Sequence, residues 1–283
     1  PAGAPVDAML DALDPLLDAG EQQLFRRMAV FVGGARVDDV EAVCAEDGTS
    51  CLDELESLVD KGLVQPDTQG DRLRMLQTIG EFAREKLDVS GEAEEVASRF
   101  AARCSATARE VRDGIEGLDQ VGSLQRGVEE DANLMAALDT LLQRAQLGDA
   151  EAARAGLQLC GDLWMYWHIR GKNVTASQYG TAFLDADSSG QSTAARAGAL
   201  ISAGLGAWAL GHLPRAGEEW AQAYRVAEEA GVTREMCISA VNRTLVLIPA
   251  GDDSAGRWAN DAVERSRVLG SAWPIFPRAD PRG

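Results

Sequence analysis

The sequence predicts a mainly helical protein with one small β-hairpin near its start, on three observations. Apolar residues recur at helical spacing over most of the chain, two short apolar runs at 63–66 and 73–76 flank a polar turn at 67–71, and after Thr78 strand signals vanish. Three helices before the hairpin and one after it make the plan of a winged helix. The remainder reads as an α-solenoid of helix hairpins.

The first helix is expected over 21–31, where Leu24, Phe25, Met28, Ala29 and Val32 share a face and Gly33-Gly34 ends it. The second falls at 37–44, with Val37, Val40 and Val43 on one side and Asp38, Asp39 and Glu41 near its positive end. The third spans 50–61, with Leu52, Leu55, Leu58 and Val59 as its stripe and Gly62 as its stop. A winged helix usually reads nucleic acid through this helix. Here Asp53, Glu54, Glu56 and Asp60 stand against a single Lys61, so phosphates would repel it.

Beyond the hairpin, Thr78 and Glu81 have capping-box spacing ahead of a helix whose apolar face is Ile79, Phe82, Ala83 and Leu87. Further helices are expected at 92–111, 124–145, 150–169, 174–185, 193–210, 214–230, 233–248 and 254–269, with a break at 114–122. The domain boundaries that follow are a flexible lead-in at 1–19, a winged helix at 20–90 and a linking helical region at 91–160. Repeats occupy 161–270, and 271–283, with Pro274, Pro277 and Pro281, is a disordered tail.

At 283 residues, 46% of them hydrophobic, the chain can bury a sizeable core. Its 27 basic and 45 acidic residues give a formal net charge of −18, which argues against a dominant nucleic-acid or polybasic membrane surface. No apolar run is long enough for a membrane span, and the start lacks the basic and apolar regions of a signal peptide, so a cytoplasmic location is expected. The five cysteines, Cys44, Cys51, Cys104, Cys160 and Cys237, contain no Cys-x-x-Cys pair and are expected to be buried thiols.

The last part repeats itself. Ala216, Ala223, Ala227 and Gly231 align with Ala255, Ala262, Ser266 and Gly270 at one offset of 39 residues, slightly above the period of tetratricopeptide helix pairs. Ala207-x-x-Leu210-Gly211 followed by Ala223 and Ala230 keeps the small-residue spacing of that repeat, although Ala207 stands where Trp is usual and Pro214 where Tyr is usual. A weaker copy begins around 167–171.

Five motifs in order carry a family resemblance. They are Glu21-Gln22-x-Leu24-Phe25-Arg26-Arg27-Met28-Ala29-Val30-Phe31-x-Gly33-Gly34, Leu58-Val59-Asp60-Lys61-Gly62-Leu63-Val64, Arg74-Met75-Leu76-x-Thr78-Ile79-x-Glu81-Phe82-Ala83, Glu130-Asp131-x-Asn133-Leu134-x-Ala136-Ala137-Leu138 and Leu163-Trp164-x-x-Trp167-x-x-Arg170-Gly171. Together they resemble the region after the nucleotide-binding module in bacterial STAND-type signalling ATPases, relatives of the NB-ARC proteins. The resemblance implies a nucleotide switch, a winged helix docked on it, and a tetratricopeptide-like sensor. It also implies that the winged helix is a docking domain rather than a DNA reader.

No Gly-x-x-x-x-Gly-Lys-Ser/Thr occurs, so ATP or ADP and Mg are expected only with an upstream NTPase module, and the start at Pro1 suggests a fragment. The expected partners are that module and a protein or small-molecule inducer; a membrane is not expected, and DNA is disfavoured through this chain. Trp164, Trp167, His168, Arg170, Trp208 and His212 are the candidate ligand or partner residues, the competing reading of the aromatics being helix core. Arg26, Arg27, Asp53, Glu54 and Glu56 are the candidate docking residues. With two histidines and no Gly-x-Ser-x-Gly, neither a metal nor a catalytic site is expected. The function expected is a non-catalytic sensor region of a STAND-type ATPase or transcriptional regulator, with a free-standing interaction adaptor and direct DNA binding as alternatives.

Overall fold

A computed structural model describes residues 16–46, 49–67 and 71–269. The chain forms two compact units, one from Pro1–Cys104 with Glu129–Ala137 and the other from Ser105–Val128 with Leu138–Gly283. Among the described residues the fold is mainly helical, with a winged helix at the start and a helical region after it, as the sequence predicts.

In the first unit α1 spans Ala19–Arg27. Its start is fixed by a capping box that sequence reading missed: the Asp18 carboxylate accepts the Glu21 N–H, and the Glu21 carboxylate accepts that of Asp18. The expected continuation to residue 31 instead tightens into a 3-10 turn at Met28–Val30, and Gly34, at φ 74°, turns the chain. Helix α2 is Val37–Cys44 and α3 is Leu52–Asp60. The wing is shorter than predicted. Strands β1 (Gln65–Pro66) and β2 (Leu73–Arg74) pair antiparallel, Gln65 with Arg74 and Pro66 with Leu73, while Leu63 and Val64 leave the ladder to enter the core.

Helix α4 (Gln77–Ser90) starts two residues earlier than a Thr78 cap would set it, with Leu76 at the N-cap position and no side-chain cap, so the expected Thr78–Glu81 box does not form. Leu24, Phe25, Met28, Val40, Val43, Leu55, Leu58, Leu63, Val64, Ala83 and Leu87 are the core of this unit. Burying such apolar surface is the main favourable term in its folding.

Helices α5 (Ala93–Glu116) and α6 (Gln120–Gln146) each contribute to both units. The break expected at 114–122 shrinks to a short turn because α5 runs through Gly114, whose missing side chain lets Ser123 approach: an added Cβ would meet the Ser123 Cβ at 2.8 Å. Hairpins α7 (Ala150–Ile169) with α8 (Asn173–Ala186), α9 (Ala194–Ala209) with α10 (Leu213–Ala230), and α11 (Thr233–Leu247) with α12 (Ala255–Leu269) follow. Gly171, Gly211 and Gly251 take left-handed φ at the turn inside each hairpin, a conformation that costs a Cβ-bearing residue about 1–2 kcal/mol.

Small residues bring these helices together. A Cβ at Gly198 would stand 2.6 Å from the Gly161 Cα, so α7 and α9 meet backbone to backbone. Trp220 fills the recess at Gly204 and donates its indole N–H to the Ile201 carbonyl at 3.1 Å. All five cysteines are buried free thiols, and burial pushes their pKa values up. Residues 1–15 and 270–283, on which most of the lead-in and the tail fall, lie outside the described residues.

Candidate functional site

In the first unit, helix α3 buries Leu55 and Leu58 and turns Asp53, Glu56 and Asp60 to solvent, with Glu54 half-buried beside Gly20. Its one cation is not available to balance them. Lys61 Nζ lies 2.5 and 2.6 Å from the two Glu21 oxygens, and Ser57 donates to the same carboxylate. The hydrogen bonds of Lys61 and Ser57 hold the Glu21 carboxyl at about 2, far below its ordinary 4.5. The exposed charges along α3 are therefore all acidic, with Leu52 the exposed apolar residue at its start.

Arg26 and Arg27, two of the candidate docking residues, both bind a carboxylate within the unit. Arg27 is 5% exposed, donates to Glu92 at 2.9 Å and gives a second N–H to the Cys44 carbonyl at 2.8 Å. Arg26 binds the other Glu92 oxygen at 2.6 Å. Burial raises the Glu92 carboxyl, but the two guanidinium hydrogen bonds outweigh it and hold its pKa at about 2. The wing base is likewise internal: Arg72, 4% exposed, pairs with Glu130 and donates to the Gly34 carbonyl at 2.7 Å.

Sequence reading missed a cleft of about 720 Å³ beside α4. Met28, Phe31, Val32, Met75 and Leu76 make its apolar side, and Arg84 and Glu85 stand on its polar side. Val32 and Leu76 are 62% and 53% exposed there. The available signal was Leu76, which period-two reading assigns to a strand and which the structure leaves outside the ladder.

In the second unit, Trp164 and Trp167 are core residues, 3% and 0% exposed. Trp167 lies nearly parallel to Tyr179, with ring centroids 6.4 Å apart. His168 and Trp208 come together at 5.6 Å and are only half-buried, and His168 Nδ1 lies 3.4 Å from Asn173 Oδ1. Arg170 is exposed at the end of α7. His212 lines a groove of about 400 Å³ with Val174, Gln178, Thr181, Asp185 and Arg215. The six candidate residues thus separate into a buried pair, a half-buried pair and two exposed polar groups. Among the described residues no group of three His, Cys, Asp or Glu is placed to hold a metal, and no helix is long and apolar enough to cross a membrane.

A winged helix leading into packed helix hairpins is the class that this fold defines. Residues 17–88 match the family model of the winged helix-turn-helix domain. Over 288 residues the chain is 31% identical to the "Putative HTH-type transcriptional regulator" of Mycobacterium tuberculosis (strain ATCC 25618 / H37Rv), covering 95% of this chain and 31% of that protein. The protein of the same description in Mycobacterium bovis gives the same figures. An uncharacterized protein of M. tuberculosis is 36% identical over 109 residues, 36% of this chain and 28% of its own length. The chain therefore spans about a third of the length of the HTH-type relatives it matches. No solved structure gives a significant match.

Proposed function

We propose that this chain is a non-catalytic regulatory region of a transcriptional regulator, in which the winged helix docks on another protein module and the helix hairpins bind a partner or inducer. The observation that carries this reading is the acidic face of α3. With Lys61 held by Glu21, the exposed Asp53, Glu56 and Asp60 suit a basic protein surface and repel phosphates. The module that would be docked is an NTPase switch of the STAND type, and the tetratricopeptide-like hairpins would bias it through His168, Arg170, Trp208 and His212. Such coupling requires two docked arrangements with different ligand affinities.

The test is Asp53→Lys with Glu56→Lys in the full-length regulator. Nucleotide exchange on its NTPase module should change, while affinity for duplex DNA should stay in the non-specific range of about 10⁻⁴ to 10⁻⁶ M. Unaltered exchange in this variant sinks the docking assignment. A second reading, DNA binding by the winged helix itself, is favoured by the helix-turn-helix match over residues 17–88 and by the description of the relatives. Sequence-specific binding by the unmodified chain at ~150 mM salt, tighter than about 10⁻⁷ M, would select it.

A further inference from the structure

The cleft beside α4 is built by the first unit alone, from the Met28–Val30 turn and the residues after it, the end of β2 and the first half of α4. Its volume of about 720 Å³ falls in the range of about 300–1,000 Å³ that takes a small organic molecule. Phe31 and Met75 are half-buried and Val32 and Leu76 exposed, so the apolar wall is open to water rather than closed by packing. Met75, with its unbranched thioether, lets such a wall adapt to the shape of what lies against it.

Two cations stand in this cleft without a counter-ion. Among the described residues of the first unit, Arg26, Arg27, Arg36, Arg72, Arg99 and Arg103 each pair with a carboxylate. Arg74 and Arg84 pair with none, and both line the cleft. Arg84 is half-buried, and its hydrogen bond goes to the Ala29 carbonyl at 2.7 Å, which fixes the guanidinium at the cleft and leaves its charge unmatched. Arg74 lies over the Gly34 turn, where a Cβ on Gly34 would stand 2.5 Å from its Cγ and 3.3 Å from its Nε. The acids of the cleft do not meet the need: Glu81 is exposed and accepts from Gln77 at 3.0 Å, and Glu85, also exposed, bonds to neither arginine. A partly desolvated guanidinium favours an anion, and its planar fork of N–H groups suits a carboxylate.

We propose that this cleft binds a small organic acid, its apolar body against Phe31, Val32, Met75 and Leu76 and its carboxylate on Arg84 and Arg74. The apolar wall selects the body and the two unmatched guanidiniums select the charge, so neither part alone is a ligand. The site goes beyond the proposed function, because it needs neither the helix hairpins nor a choice between a protein and DNA as the target of the winged helix.

The test is a titration of the whole chain followed by the amide NMR signals of Val32, Gly80 and Arg84. Octanoate and phenylbutyrate are the probes, with octylammonium carrying the opposite charge on the same body, and acetate and inorganic phosphate carrying the charge without the body. At least one of the two acids should shift these signals saturably, and the three controls should bind at least about tenfold more weakly. Arg74→Gln should weaken the acid by about tenfold, since a hydrogen bond to a charged group is lost. Leu76→Asp should abolish binding while keeping the fold, because aspartate suits the N-cap position that residue 76 holds. No saturable shift with either acid overturns the proposal. So does octylammonium binding as tightly as octanoate, which would mean that Glu81 and Glu85 set the charge. Phosphate binding as tightly as the acids also overturns it, leaving a bare oxyanion site of the kind a nucleic-acid backbone uses, and unchanged affinity in both variants would place the acid elsewhere.

Discussion

Glu21 shows how one side chain takes several roles that its sequence neighbours do not reveal. It closes the capping box of α1, accepts from Ser57 and pairs with Lys61 across to α3. Its folded pKa is depressed to about 2 from 4.5, as is that of Glu92 under Arg26 and Arg27. A depressed carboxyl contributes stability that is fully present above its unfolded pKa and is lost as the pH falls towards the folded value. Urea unfolding of the chain should therefore show a stability change between about pH 4.5 and pH 2. Glu21→Gln should be less stable than wild type at pH 7, and the difference should shrink as the pH falls from about 4.5 and close only below about pH 2, where both side chains are neutral. A difference independent of pH would show that the packing of residue 21, not its charge, matters.

Among the elements, the small-residue faces of α7 and α9 are the most sensitive to change. Gly161 and Gly198 oppose each other with no room for a methyl, and the backbone on the other side cannot rotate away as a side chain could. Gly161→Ala should lower stability by about 1–3 kcal/mol despite its better helix propensity, as read by thermal or denaturant melts. A stabilising Gly161→Ala would mean that the two helices can separate without loss. The same balance explains the boundary errors of sequence reading. Gly114 looks like a helix breaker, yet α5 runs through it and Ser123 packs into the space its missing side chain leaves, and Thr78 looks like a cap, yet the helix has already begun at Gln77.

For the whole molecule, charge sets what the surface can attract. A net charge of −18 on 283 residues creates a field that disfavours polyanions, and the local arrangement strengthens it. Arg26, Arg27, Arg72 and Lys61 are all held by carboxylates within the first unit. If the winged helix does not read DNA, the chain should bind duplexes of different sequence alike and no tighter than about 10⁻⁴ to 10⁻⁶ M at ~150 mM salt. Binding that depends on sequence would require a cationic surface formed by cations other than these four, and would favour the DNA reading.

The sequence by itself determined the elements and the fold class. Helical periodicity, glycine stops and the paired short runs sufficed for a winged helix followed by helices, because these are local signals of backbone preference and burial. It also supplied the acidic character of α3, since composition needs no coordinates. Only the tertiary structure decided which charges remain free. The pairing of Lys61 with Glu21 and of Arg27 with Glu92 joins residues far apart in the chain, and no spacing rule reports such partners. It alone also buried Trp164 and Trp167, left His168 and Trp208 half-exposed, and opened the cleft beside α4. An aromatic run has the same sequence pattern in a core as on a surface, and the neighbouring helices, not the run itself, decide how much of it water can reach.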